Sequence, residues 1–173
     1  MILMDWQMLT LVGEDQPGIV AQLTQALYEG GSNLGETSMI RLGGNFTIMM
    51  MVSDGDKPLA TLIEPVAKRL GLQYHLDPIR GGLHQHLVPN FQVRVVGADR
   101  AGIVARVTGA LAGLGFNILE LESDVVGSAQ DPVYIMTIQG YAAATLEALE
   151  AAVETVKDAD IEINISPVET LIG

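Results

Sequence analysis

Two stretches decide the reading of this chain: DQPGIVAQLTQALYEGGSNLGE at residues 15–36, and DRAGIVARVTGALAGLGFNILE at residues 99–120. They lie 84 residues apart and agree at 11 of 22 positions without a gap. The shared residues include Asp15/Asp99, Gly18/Gly102, Ile19/Ile103, Val20/Val104, Leu27/Leu111, Asn33/Asn117 and Glu36/Glu120. Val12-Gly13 also matches Val96-Gly97. A period of 84 residues is too long for a solenoid repeat and is the size of a small domain. The repeat therefore predicts two tandem homologous domains.

Working outward, each copy parses by periodicity. QMLTLVG alternates as a strand. GIVAQLTQAL sets Ile19, Val20, Leu23, Ala26 and Leu27 on one helical stripe, and Gly30-Gly31 ends that helix. NLGETSMIRL and NFTIMMMVS read as two strands joined by a hairpin turn at Gly43-Gly44. PLATLIEPVAKRL is a second helix with its stripe at Leu59, Leu62, Ile63, Val66 and Leu70, and Pro65 is expected to kink it. QYHLDPI is a fourth strand. The second copy repeats the order with NFQVRVVG, a helix from Gly102, NILELESDVV, PVYIMTIQG, a helix through Leu146, Leu149, Val153 and Val156, and IEINISPV. The class is α+β: two tandem ferredoxin-like βαββαβ units, each an antiparallel sheet with both helices on one face. The expected boundaries are 1–80, a linker at 81–89, and 90–173.

Composition narrows the function. Nine Lys and Arg against 21 Asp and Glu give a net charge of −12. The basic residues are scattered, so direct nucleic-acid binding is not expected. There are no cysteines, which excludes disulfides and thiol chemistry and agrees with a cytoplasmic setting. The start, MILMDWQML, lacks a basic flank and a long apolar run, so neither a signal peptide nor a membrane span is expected. His84 and His86 share a face of an extended segment but lack a third ligand, so no metal is expected. No nucleophile triad, phosphate loop or dinucleotide fingerprint is present.

One strand bears on assembly. In FTIMMMVS, Phe46, Ile48, Met50 and Val52 face one way, and Met49 and Met51 the other with Thr47 and Ser53. Val133 and Ile135 likewise oppose Tyr134, Met136 and Ile138. Two apolar faces fit either a central strand with a few exposed side chains or a second face covered by another domain, subunit or partner.

The turn from first strand to first helix carries the chemistry. Asp15 and Asp99 can cap the helix that follows. Alternatively, the amides around Gly18 and Gly102 can hold a carboxylate at the positive helix N-terminus while the Asp takes an ammonium. Asn33 and Asn117 open the next strand and supply both a donor and an acceptor. Together these groups describe a pocket for a zwitterionic amino acid.

The motifs DQPGIVAQLTQAL…GSNL and DRAGIVARVTGAL…GFNI resemble ACT domains, small regulatory modules that bind amino acids. The resemblance covers nearly the whole chain. It implies ligand contacts at Gly13, Asp15, Gly18 and Asn33 and at Gly97, Asp99, Gly102 and Asn117, at a domain–domain interface. Two ACT units with RLGGNFTIMMMVS after the first loop are similar to the glycine cleavage system transcriptional repressor family. That likeness implies a non-enzymatic, homo-oligomeric regulator without a cofactor. Its effector would be glycine, and it would act through protein contact with a transcriptional activator. The alternatives are a ligand-independent ACT adaptor or a regulator of a metabolic enzyme. ACT units also precede catalytic domains in phosphoserine phosphatase and formyltetrahydrofolate deformylase, and the sequence offers no residues for such a domain.

Overall fold

The structure, a computed structural model, describes residues 6–79, 87–98 and 100–169, without the side chain of Arg100. The chain divides into two compact units, Met1–Leu83 and His84–Gly173. In the first, β1 (Trp6–Glu14), α1 (Ile19–Glu29), β2 (Asn33–Leu42), β3 (Asn45–Ser53), α2 (Leu59–Leu70) and β4 (Gln73–Pro78) follow in order. In the second, β5 (Phe91–Gly97), α3 (Arg100–Ala112), β6 (Asn117–Ser128), β7 (Asp131–Tyr141), α4 (Leu146–Glu154) and β8 (Glu162–Pro167) repeat that order. Each unit has one antiparallel sheet, ordered β2-β3-β1-β4 and β6-β7-β5-β8.

The cores explain the periodicities. Ile19, Leu23 and Leu27 recur one turn apart, and all three are buried against Leu9, Leu11, Phe46, Ile48, Met50 and Val52 of the sheet. Burying each leucine contributes about 2 kcal/mol. In the second unit Ile103, Val107 and Leu111 do the same against Val93, Val95, Met136 and Ile138. Val20, expected on the stripe, is 42% exposed. It stands about 100° around the helix from Ile19, which turns it past the edge of the buried face. Leu62 is half-buried, and Ala67 takes a core position instead. Val156 lies beyond the end of α4. α2 runs as one helix through Pro65, whose missing N–H leaves the carbonyl one turn back without its helical donor.

α1 and α3 end alike. Gly31 and Gly115 adopt φ of +70° and +72°, and the next amides, Ser32 N–H and Phe116 N–H, donate to Leu27 and Leu111 carbonyls at 3.0 and 3.2 Å. These left-handed glycines turn the chain from helix into the edge strand.

β2 and β6 each form one edge of their sheet, with β4 and β8 at the other, and every residue of β2 and β6 is exposed. Leu34, Met39, Ile40 and Leu42 of β2 are each at least 45% exposed. On the open face of the first sheet Met49 is exposed, whereas Met51 and Ser53 are buried. A side-chain carbon added at Gly35 would lie 3.1 Å from Met51 Cβ and 3.2 Å from Trp6 Cζ3, so Trp6 and Met51 pack over the same spot.

Candidate functional site

In the first unit β1 runs out at Glu14 and α1 begins at Ile19. Gly18 caps α1 in the left-handed conformation, φ +89°, which a residue with a side chain adopts only under strain. Its carbonyl accepts from Gln22 N–H at 3.0 Å. No side chain caps α1, and its first turn holds no acid. α4, in contrast, is capped by Thr145 Oγ1, and Asp54 Oδ1 accepts from Leu59 N–H at the start of α2. The opening amides of α1, at the positive end of the helix, are thus without a side-chain acceptor.

Asp15 does not cap α1, contrary to that reading of the sequence. Its N–H donates to Gly44 O at 3.1 Å, and its carboxylate pairs with Arg41 at 2.6 Å. Asp15 sits three residues before the cap position and is drawn across to the β2–β3 hairpin. Arg41 carried no signal in the sequence. Its β-ladder partner is Phe46, which also faces Gly13. The matching place in the second unit, opposite Tyr134 and Gly97, holds Val125. The two loops therefore differ in charge.

Gly102 also departs from expectation. α3 begins at Arg100, so Gly102 lies inside its first turn, and its carbonyl accepts from Arg106 Nε at 3.2 Å. Arg106 also pairs with Asp158. Asp99, the other expected acid, lies outside the described residues, as do His84 and His86. Gly13 and Gly97 are packed closely. An added carbon at Gly13 would meet Leu72 Cδ2 at 2.5 Å. At Gly97 it would meet Ile103 Cδ1 at 2.9 Å and Asp160 O at 3.2 Å.

The Asn residues lie at the other end of each sheet. Asn33 pairs with Ser53, whereas Gly13 pairs with Phe46. Seven residues of β3 separate these rungs, about 23 Å at strand rise. Asn117 pairs with Tyr141 and Gly97 with Tyr134, which gives the same separation along β7. The cause is the helix between them. α1 runs back along β1, so β2 must start beside the beginning of β1 and far from the loop. One unit alone does not gather loop and Asn into a pocket. At its own end Asn33 Nδ2 donates to Ser53 Oγ at 3.3 Å, and Ser53 is fully buried.

Two surface grooves lie elsewhere. One, about 580 Å³, runs between α1 and α2 past Ala21, Leu62, Pro65 and Arg69. The other, about 470 Å³, lies between α4 and β8 past Glu147, Glu150 and Asn164. Neither is lined by an expected ligand residue. Among the described residues no group of three or more His, Cys, Asp or Glu could hold a metal, and no helix is long and apolar enough to cross a membrane.

Two family models, both described as ACT domain, match residues 7–77 and 91–154. The chain belongs to the ACT-domain family. Its two ACT domains stand in tandem, each with the βαββαβ order. No curated protein matches the chain. Two solved structures span nearly all of it. An unknown protein from Galdieria sulphuraria superposes with a TM-score of 0.74 at 24% identity, covering 95% of this chain and 99% of that one. A protein provisionally described as a glycine cleavage system transcriptional repressor superposes with a TM-score of 0.68 at 19% identity, covering 97% and 99%. At these identities the likeness is one of fold.

Proposed function

We propose that this tandem ACT protein is a non-enzymatic regulator that senses a small amino acid, with glycine the leading candidate. The observation that carries the reading is the uncapped α1 N-terminus, open beside Gly18 in a domain of the ACT family. Exposed helix amides favour a carboxylate. Because loop and Asn lie about 23 Å apart along β3, a pocket using both needs a second copy of the chain to bring its Asn33 end to the loop. Binding would then favour one assembly over another, which couples effector to partner.

The fold-level likeness to the repressor supports an output on glycine-cleavage genes. The net charge of −12 supports control by contact with an activator protein and not with DNA. A cytoplasmic site of action without a cofactor follows from the same reading.

Titration calorimetry across the proteinogenic amino acids tests this. The expected result is a saturable heat with glycine or a few small relatives. Flat heats with the whole panel, together with no thermal shift, would overturn amino-acid sensing. A second reading, a ligand-independent adaptor, is favoured by the exposed edges of β2 and β6, since long apolar edge strands invite pairing with another chain. It predicts stable oligomers whose partner affinity ignores every amino acid.

A further inference from the structure

The two ACT units share a fold, but the ends of their sheets that carry the Asn differ in chemistry. Ser32, in the connection between α1 and β2, has a buried Oγ without a hydrogen-bond partner. A buried hydroxyl without a partner is costly, and native structures hold few of them. Next to it Asn33 Nδ2 reaches Ser53 Oγ at 3.3 Å. The segment joining β3 to α2 is Asp54-Gly55-Asp56-Lys57-Pro58. Asp54 Oδ1 already accepts from Leu59 N–H at the start of α2. Asp56 folds back over the end of α1: its N–H donates to Gly30 O at 2.9 Å, and its Oδ2 would lie 3.0 Å from a side-chain carbon at Gly31. Hydroxyl oxygens and a carboxylate on these adjoining segments suit an ammonium group.

The second unit keeps the Asn, as Asn117, but replaces the hydroxyls and the acids around it. Phe116 stands where Ser32 does in the repeat, and it is buried. Tyr141 faces Asn117 across the ladder where Ser53 faces Asn33. The segment before α4 is Ala142-Ala143-Ala144-Thr145, which carries no charge. The backbone of Ala142 is already matched: Asn90 Nδ2 donates to Ala142 O at 2.7 Å, and Asn90 Oδ1 accepts from Ala142 N–H at 3.0 Å.

We propose that the two Asn ends are unequal: the Ser32–Asn33 end of the first ACT unit binds the amino acid's ammonium group, and the Phe116–Asn117 end of the second does not. The inference rests on the amino-acid-sensing reading and sharpens it, giving one effector per chain despite the duplicated motif. Ser32 becomes a contact residue because an incoming ammonium supplies the partner that its hydroxyl lacks.

The test is calorimetry on the full chain, titrated with glycine and with the other proteinogenic amino acids. The expected stoichiometry is one per chain. Ser32→Ala and Asn33→Ala should each weaken binding by about tenfold or more, as loss of a charge-assisted hydrogen bond does. Asn117→Ala should change it less than about twofold. Ser32→Ala removes an unpartnered buried hydroxyl, so its thermal midpoint should be unchanged or higher, and weaker binding cannot then be traced to unfolding. Two equivalent sites per chain, or equal losses from Asn33→Ala and Asn117→Ala, would overturn the inequality and leave sensing intact. Flat heats from the unsubstituted chain would overturn both.

Discussion

Gly55→Ala should destabilise the first ACT unit by about 3 kcal/mol, at the upper end for overpacking a closed site. The carbon it adds would fall on the backbone of Gly30 and Gly31 and not on the tip of a movable side chain. The same loop is clamped there by the bond from Asp56 N–H to Gly30 O at 2.9 Å. To make room, either the end of α1 or the β3–α2 segment must shift, and that bond is strained or lost. Trp6 is the chain's single tryptophan and lies in β1 of this unit. Its fluorescence during urea unfolding therefore reports on this unit directly. A clear fall in the midpoint is expected. An unchanged midpoint would mean that the packing of loop against helix end is looser than described. The substitution should also weaken effector binding, because the displaced segment carries Asp56 and adjoins Ser32.

Gly97→Ala should cost about 2 kcal/mol, within the range for overpacking. Three neighbours crowd the added carbon: Ile103 Cδ1 at 2.9 Å, Ile161 Cγ1 at 3.2 Å and the carbonyl of Asp160 at 3.2 Å. One is backbone, and Ile103 and Ile161 belong to the core. At Gly13 the closest obstacle, at 2.5 Å, is the methyl end of Leu72, which can rotate away, so Gly13→Ala should cost less. Thermal unfolding followed by circular dichroism separates the two. The comparison matters for function as well. If Gly97→Ala left stability untouched and removed effector binding, that glycine would serve the ligand's approach and not the packing of β5 against α3 and β8.

The fold was legible because several levels of the sequence agreed. Alternation in QMLTLVG, the turn Gly43-Gly44 and the stripe of Ile19, Leu23 and Leu27 each pointed to its element, and the second copy repeated them. Val20 misled because a residue next to a stripe is read as part of it, while the width of the buried face depends on the partner sheet. The site was legible only as residue types. Gly18, Asn33 and Asn117 could be named, but their separation could not. It depends on how far α1 carries the chain back before β2 starts. Arg41 was hidden because its meeting with Asp15 depends on the hairpin's position. The contrast of Ser32 with Phe116 was present in the repeat itself, among the positions where the copies differ. It gained meaning once the burial of the Ser32 hydroxyl was known.

On the proposed reading an amino acid bridges the opening of α1 in one copy of the chain and the Ser32–Asn33 end of a second copy. A crystal structure of the chain with its calorimetrically selected amino acid bound tests it most directly. The expected complex has the carboxylate on the amides after Gly18 and the ammonium against Ser32 and Asn33. An amino acid lodged in the groove between α1 and α2, or held at the Asn117 end, would contradict it.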